Sequence, residues 1–132
     1  MPLQSPKVLL VDDEEGFTRT LAKLLSRRGY EVQAAPDAAQ ALRLILRGGV
    51  EVVILDLKMP GLSGMEALRE IKRLAPSIEV IILTGHLLKS SEQEGLSLGA
   101  FAYLTKPCTL QQLMEAMEGA LARRRAGGGG LQ

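Results

Sequence analysis

Three acidic residues stand where two apolar stretches of the sequence end. Asp12 and Asp13 directly follow Lys7–Val11, and Asp56 directly follows Val52–Leu55. If both stretches are parallel strands of one sheet, their carboxyl ends meet at one edge and the three carboxylates converge. Two like unit charges about 4 Å apart repel by roughly 4 kcal/mol at an effective dielectric of about 20. The pattern therefore predicts a bound cation.

A small dication such as Mg²⁺ suits these donors. It takes oxygen ligands in octahedral geometry, usually one or two carboxylates together with waters and phosphate oxygens. Once the metal neutralises the acids, the Asp56 carboxylate can attack a phosphoryl group and form an acyl phosphate. Such a transfer depends mainly on positioning and on positive charge around the transferred oxygens.

Two further polar residues follow later strands. Thr84 closes the predicted fourth strand, and Lys106 follows the fifth, with Pro107 next. A lysine ammonium supplies positive charge and a threonine hydroxyl donates a hydrogen bond to a phosphoryl oxygen. Taken singly, Asp13 could cap a helix, Asp56 could be a loop acid and Lys106 a surface lysine paired with an acid. Their shared placement at strand ends favours one common site.

This arrangement resembles the receiver domain of bacterial two-component response regulators. The matching residues are Asp12-Asp13, Asp56, Thr84 and Lys106-Pro107, and the segment Leu55–Gly61 looks like the family's phosphorylation loop. The resemblance extends over roughly residues 7–123. It implies an α/β fold of the flavodoxin-like (βα)5 type, a doubly wound five-stranded parallel sheet of order 2-1-3-4-5 in three layers.

The resemblance also implies a function. Asp56 would accept a phosphoryl group from a histidine kinase or phosphotransfer protein, with Lys106 and Thr84 assisting. Asp12, Asp13, Asp56 and the backbone carbonyl of Lys58 would hold Mg²⁺. The Lys106-Pro107 bond would be cis.

The resemblance further implies that signalling follows from a movement near the site. Thr84 would turn towards the phosphoryl group and Tyr103 would turn inward, which changes the surface of the fourth helix, fifth strand and fifth helix. A downstream protein or a fused output domain would read that surface, and a homodimer would form through it. His86 and Lys58 lie at the predicted rim, where they could tune the lifetime of the acyl phosphate, and the pattern equally fits an ordinary exposed histidine at position 86.

The elements that must position these residues alternate along the chain. Short apolar stretches alternate with segments of helical period, which is typical of a parallel sheet covered by helices on both faces. The predicted strands are Val8–Val11, Glu31–Ala34, Val52–Leu55, Glu79–Leu83 and Ala100–Leu104. The second strand is more polar than the first, third and fourth, so we place it at an edge of the sheet.

Four helical segments carry an apolar face. The predicted inward residues are Phe17, Leu21, Leu24 and Leu25 in the first, Ala41, Leu42, Ile45 and Leu46 in the second, Met65, Leu68, Ile71 and Leu74 in the third, and Leu110, Leu113, Met114, Met117 and Leu121 in the fifth. Asp37 and Thr109 are predicted N-caps of the second and fifth. The fourth segment, Lys89–Gly95, has no apolar residue and includes a glycine, so it is either a weakly anchored, movable element or simply a solvated helix face.

Length and composition predict one domain. The chain has 132 residues, 46% of them hydrophobic, and a formal net charge of +1, which gives no overall field for binding nucleic acid or anionic membrane. We divide it into an N-terminal extension (1–6), a receiver domain (7–123) and a flexible Gly-rich tail or linker (124–132). The arginines at 123–125 are interpreted as complementing a helix dipole. No helix-turn-helix sequence follows, so direct nucleic-acid binding is not expected.

A cytoplasmic location and no membrane association are expected. The sequence has no apolar stretch of membrane-spanning length and no signal-peptide core at its start. A single cysteine, Cys108, rules out an intramolecular disulfide, and we interpret it as a small buried apolar residue.

Two other functions use the same kind of fold. A flavodoxin-like flavin or nucleotide-binding protein would need a Gly/Ser/Thr-rich phosphate loop after the first strand, whereas Asp12-Asp13-Glu14-Glu15 would repel phosphate without a metal. An aspartyl-phosphate phosphatase usually has a second Asp two residues after the nucleophile, and Lys58 occupies that position. We therefore expect a phosphoacceptor switch with self-catalysed phosphorylation and dephosphorylation, and not an enzyme that releases an external product.

Overall fold

Strands and helices alternate strictly in the computed structural model, which describes residues 5–59, 61, 63–85 and 89–129. Within these residues the strands are β1 (Lys7–Val11), β2 (Glu31–Ala35), β3 (Val52–Leu55), β4 (Glu79–Thr84) and β5 (Ala102–Thr105). The helices are α1 (Glu15–Arg27), α2 (Ala38–Arg47), α3 (Gly64–Leu74), α4 (Lys89–Ser97) and α5 (Leu110–Gly129). All five predicted strands are present, with β5 beginning two residues later than predicted.

The strands form one parallel sheet of order β2-β1-β3-β4-β5, as predicted. β3 and β4 are buried along their whole length, and β1 is buried from Val8 onwards, because helices cover both faces of the sheet. The more polar β2 lies at one edge, and β5 lies at the other. The predicted flavodoxin-like fold in three layers is therefore confirmed.

Alternation along the strands divides the core into two layers. Val8 and Leu10 of β1 face α1 and α5, whereas Leu9 and Val11 face the side covered by α2 and α3. Successive side chains of a strand point to opposite faces of a sheet, so each central strand contributes to both layers. The predicted caps at Asp37 and Thr109 are confirmed, since their side chains accept hydrogen bonds from the Gln40 and Gln112 amides at 2.9 and 3.0 Å.

Three leucines predicted to face the core are exposed. Leu24, Leu46 and Leu74 are 36%, 68% and 39% exposed. Neighbouring residues on a helix are about 100° apart, at 3.6 residues per turn, so Leu25 and Ile45 take the core-facing positions beside the first two. Leu74 is the last residue of α3, and the burial of that helix ends with Ile71.

The polar segment predicted as the fourth helix is helical, and its glycine has a packing role. Gly95 is buried, and a β-carbon built on it would lie 2.5 Å from Ile82 Cδ1 of β4. The sequence indicated only that this glycine weakens the helix. In the structure it also allows α4 to approach the sheet closely.

The helix α5 continues to Gly129, past the predicted boundary at residue 123. Residues 124–129 of the predicted tail or linker are therefore helical. The interpretation of Arg123–Arg125 as dipole partners was wrong, because the helix does not end there. Arg123 instead forms a two-pronged ion pair with the buried Glu79, and Arg124 lies 3.8 Å from Glu51.

Candidate functional site

Backbone hydrogen bonds fix Asp12, Asp56 and Lys106, each of which is the first residue after a strand. Three amides continue the sheet pattern: Asp12 donates to Ala35 at 3.1 Å, Asp56 to Val11 at 2.9 Å and Lys106 to Thr84 at 2.9 Å. Each side chain therefore leaves a fixed backbone position at the carboxyl edge of the sheet.

Folding brings the three predicted acids together. One carboxylate oxygen from each of Asp12, Asp13 and Asp56 lies within 4.8 Å of the other two. Asp12 and Asp56 are each only 6% exposed, whereas Asp13 is exposed. Two buried carboxylates and one open to solvent form an acidic cluster that could bind a metal ion, with a side accessible to a ligand.

Lys106 is the counter-ion of this cluster. Its Nζ lies 2.6 Å from Asp12 Oδ2, 3.1 Å from Glu14 Oε1 and 3.5 Å from Asp56 Oδ2. The lysine side chain is 16% exposed, so it is not a surface lysine with a single acid partner. The predicted cis bond between Lys106 and Pro107 is present.

The pKa values of the central pair reflect both burial and pairing. Burial raises the pKa of Asp12, and hydrogen bonds from Lys106 and the Glu14 amide offset that rise only in part. Burial lowers the pKa of Lys106, but hydrogen bonds to Asp12 and Glu14 and the charges of Asp12 and Asp56 outweigh it, so the net shift is upward. The lysine is therefore charged at neutral pH.

One oxygen of Asp56 is held by two donors. The Thr84 hydroxyl donates to Asp56 Oδ1 at 2.7 Å, and the backbone amide of Lys58 donates to the same atom at 3.2 Å. Thr84 is fully buried. The sequence predicts this hydroxyl as a donor to a phosphoryl oxygen, and in this structure it orients the carboxylate itself.

A close approach after β3 shapes the loop around Lys58. The Gly64 amide donates to Leu57 O at 3.0 Å, and a β-carbon on Gly64 would lie 2.4 Å from Leu57 Cα and 2.6 Å from Asp56 O. Only glycine permits this contact. Ser63 and Glu66 form a capping box that starts α3 beside the site.

Other predicted residues lie near this edge. Lys58, Asp13, Thr84 and Lys106 line one open cleft together with Asp56. Tyr103 of β5 is half-buried and packs against the core layer that includes Ile82. The predicted rim residue at position 86 lies outside the described residues.

Two residues of the site were not predicted to belong to it. Glu14 pairs with Lys106, and the Lys106 Nζ lies 4.1 Å from the centroid of the Phe17 ring. The sequence indicated Phe17 only as a core residue of α1. Its position one helical turn after the acidic run Asp12–Glu14 is the signal that could have placed it near the site.

Cys108 is half-buried, and burial raises the pKa of its thiol, which fits the predicted apolar role.

Among the helices of the described residues, none has the length and apolar character needed to cross a membrane.

The comparisons with known proteins agree on one family. The family model of the response regulator receiver domain matches residues 8–118. Response regulator MprA of Mycobacterium sp. (strain KMS) is 35% identical over 117 residues, which are 89% of this chain and 51% of MprA. The chain thus spans about half the length of that relative.

Solved structures give the same result. A response regulator receiver domain protein from Clostridium thermocellum has a TM-score of 0.86 and 41% identity, covering 91% of this chain and 97% of its own. A CheY-like receiver domain protein from Methanospirillum hungatei JF-1 has a TM-score of 0.89 and 28% identity, covering 93% and 98%.

These comparisons do not support the alternative of a flavin or nucleotide-binding protein. The family match, the strand order and the acidic edge agree with one another. The chain belongs to the family of receiver domains of two-component response regulators.

Proposed function

We propose that Asp56 is the residue that accepts the phosphoryl group, in a Mg²⁺-dependent transfer from a histidine kinase or phosphotransfer protein. The observation that carries this proposal is the environment of Asp56: it is nearly buried, it lies in a cluster of three acids, and Lys106 lies 3.5 Å from its Oδ2. Response regulators interact with histidine kinases, which makes a kinase of this class the expected donor.

The metal site proposed here uses Asp12, Asp13, Asp56 and the backbone carbonyl of Lys58. The three carboxylates are hard oxygen donors already within 4.8 Å of one another, which is the chemistry that Mg²⁺ prefers. When bound, Mg²⁺ would neutralise these acids and part of the charge on the transferred group.

The chain's own residues supply the rest of the chemistry. An oxygen of Asp56 attacks phosphorus while the bond from phosphorus to the donor nitrogen breaks, so the donor leaves with that electron pair. Lys106 would donate to a phosphoryl oxygen, and Thr84 would release Asp56 and donate to another. The same residues would support self-catalysed phosphorylation and hydrolysis, so the chain is a switch with no external product.

The signal would leave through α4, β5 and α5. If Thr84 moves towards a phosphoryl group, Tyr103 can move inward beside Gly95, whose built β-carbon lies 3.8 Å from Tyr103 Cδ2. A downstream protein, a fused output domain or a second copy of the chain would bind this surface. The lack of a basic field favours protein contact over direct nucleic-acid binding, and the single free cysteine favours a cytoplasmic location.

Mass spectrometry tests the acceptor assignment. Incubation with acetyl phosphate and Mg²⁺ should add one phosphoryl group to the parent protein, and none to Asp56→Asn. The matched control is Asp37→Asn, because Asp37 caps α2 and asparagine caps equally well. Asp37→Asn should be phosphorylated like the parent. Phosphorylation of Asp56→Asn to the parent's extent would refute the assignment.

A further inference from the structure

An aromatic ring contacts the ammonium group of the site. The Lys106 Nζ lies 4.1 Å from the centroid of the Phe17 ring, and the lysine side chain is 16% exposed. A cation within about 6 Å of a ring centroid is attracted by the negative face of the ring, and more strongly when it is shielded from water. Phe17 therefore contributes to the position of the ammonium group.

Packing against the hydrophobic core holds the Phe17 ring in place. Phe17 lies in the first turns of α1 and packs against the core layer that includes Leu10, Leu21 and Leu83. Next to it, the Thr18 hydroxyl donates to Glu14 O at 3.0 Å and ties the start of the helix to the acidic loop. The position of Phe17 is thus set by apolar packing, which is independent of the charges in the site.

The carboxylate partners of Lys106 change during the proposed reaction. Asp56 would lose its negative charge at one oxygen when esterified, and Asp12 would share its charge with the metal. A lysine side chain has four rotatable bonds and loses much conformational freedom when held in place. The attraction of the half-buried ring persists while Asp12 and Asp56 are rearranged, and so does that of the more exposed Glu14 carboxylate.

We propose that Phe17 is a positioning residue that holds the Lys106 ammonium at the phosphoryl-binding side of Asp56 while its carboxylate partners change. This inference rests on the proposed function. Phe17 itself forms and breaks no bond. Its effect should appear mainly in interactions that need the ammonium group, and much less in metal binding, because the Lys106 charge stays beside the acids with or without the ring.

A substitution series separates the ring face from simple packing. Phe17→Leu keeps an apolar side chain and removes the ring, and Phe17→Tyr keeps the ring. The rate of phosphorylation by acetyl phosphate avoids any dependence on a protein donor, and the affinity for trifluoroberyllate measures binding of a phosphoryl analogue. Phe17→Leu should lower the phosphorylation rate and the trifluoroberyllate affinity by about fivefold each. Phe17→Tyr should keep both quantities within about twofold of the parent.

Two measurements test whether the effect runs through Lys106. The Mg²⁺ affinity of Phe17→Leu should stay within about twofold of the parent, because a phenyl ring supplies no oxygen ligand and the substitution keeps the Lys106 charge beside the acids. In a Lys106→Met background, Phe17→Leu should change trifluoroberyllate affinity by less than about twofold, because the cation is gone. Thermal unfolding of each variant reports any packing loss separately.

The outcomes are distinct. Equal rates and affinities for the parent and Phe17→Leu, or an undiminished effect in the Lys106→Met background, would overturn the positioning role while leaving the proposed function intact. A parent protein that takes no phosphoryl group on Asp56 would overturn the proposed function, and the positioning role with it. If Phe17→Tyr does not fold, the comparison of Phe17→Leu in the two Lys106 backgrounds decides.

Discussion

Asp12 destabilises the folded protein at neutral pH. Burial raises its pKa above the ordinary value of 3.8, and the Lys106 and Glu14 hydrogen bonds do not fully compensate. The folded state therefore binds this proton more tightly than the unfolded state. Stability falls as pH rises from the ordinary pKa to the raised one, and the cost is fully present above that window.

Asp12→Asn should therefore stabilise the metal-free protein at neutral pH. The substitution removes the buried charge and keeps an oxygen that can accept from Lys106, so we expect a gain of about 0.5–2 kcal/mol in the free energy of unfolding. Urea denaturation at pH 7 with a chelator measures it. The gain should shrink as pH falls from the raised pKa of Asp12 towards 3.8 and should be absent below 3.8, because the parent is then neutral at this position as well.

The exposed neighbour supplies the control. Asp13→Asn removes a charge that water already solvates, so its effect should stay within about 0.5 kcal/mol. A loss of stability in Asp12→Asn at pH 7 would show that its pairing with Lys106 outweighs its burial.

At the scale of elements, α4 depends on a residue that ordinarily weakens helices. Alanine favours a helix over glycine by about 1 kcal/mol, but a β-carbon at Gly95 would lie 2.5 Å from Ile82 Cδ1. Gly95→Ala should therefore lower the free energy of unfolding by about 1–3 kcal/mol, the usual cost of overpacking. Gly16→Ala in α1 meets no atom within 4 Å and should raise it by about 0.5 kcal/mol.

Ile82→Val identifies the atom responsible, because it removes Cδ1. In the parent this substitution should cost about 0.5–1.5 kcal/mol, and in the Gly95→Ala background it should cost less or restore stability. Additive effects of the two substitutions in urea denaturation would mean that α4 accommodates the methyl group in another way.

At the opposite end of the sheet, an ion pair links α5 to the first residue of β4. Arg123 pairs with Glu79, which is 6% exposed, and lies 4.8 Å above the Phe101 ring, against which Gly119 packs closely. Arg123→Met would leave Glu79 with Lys72 at 4.0 Å as its remaining cation among the described residues.

Arg123→Met should therefore destabilise the protein by about 2 kcal/mol, since it leaves a buried carboxylate without its hydrogen bonds. Thermal and urea unfolding measure this loss. The double variant Glu79→Gln/Arg123→Met should lose less than Arg123→Met alone, because no buried charge remains. Arg125→Met is the matched control on the same helix, and an equal loss there would contradict the role of the Glu79 pair.

For the whole molecule, the parallel sheet explains why so much was predictable from sequence. Asp12, Asp56, Thr84 and Lys106 are far apart in sequence, but each lies at the carboxyl end of a parallel strand. Strands buried on both faces are recognised in the sequence as continuous apolar stretches, and an edge strand is recognised by its additional polar residues. Once the strands are located, their shared direction brings the site together.

The features that sequence did not predict depend on side-chain reach and close packing. The contact of Lys106 with Phe17, the Glu79 pair of Arg123 and the tight approach of Gly95 join residues from different elements, and neither periodicity nor capping encodes such distances. The exposure of Leu46 has a similar origin. Both Ile45 and Leu46 fit the apolar pattern of the helix, and only packing in the folded protein decides which of the two is buried.

Metal binding should stabilise the whole molecule by linking two strands. A ligand that binds only the folded state stabilises it by about 2.7 kcal/mol at a concentration of one hundred times its Kd. Mg²⁺ should therefore raise the Tm of the parent by several degrees, as followed by calorimetry. Sodium chloride at equal ionic strength should not reproduce the rise, and Asp56→Asn, which removes a carboxylate from the cluster, should reduce it strongly.

Lys106 and the metal should compete, because both are cations at the same oxygens. The Lys106 Nζ already lies 2.6 Å from Asp12 Oδ2 and 3.5 Å from Asp56 Oδ2. Lys106→Met should thus be less stable than the parent in chelator, since the buried acids lose their counter-ion. It should also bind Mg²⁺ more tightly, with a larger rise in Tm. A smaller Mg²⁺ effect in Lys106→Met would mean that the lysine organises the acids for the metal instead of competing with it.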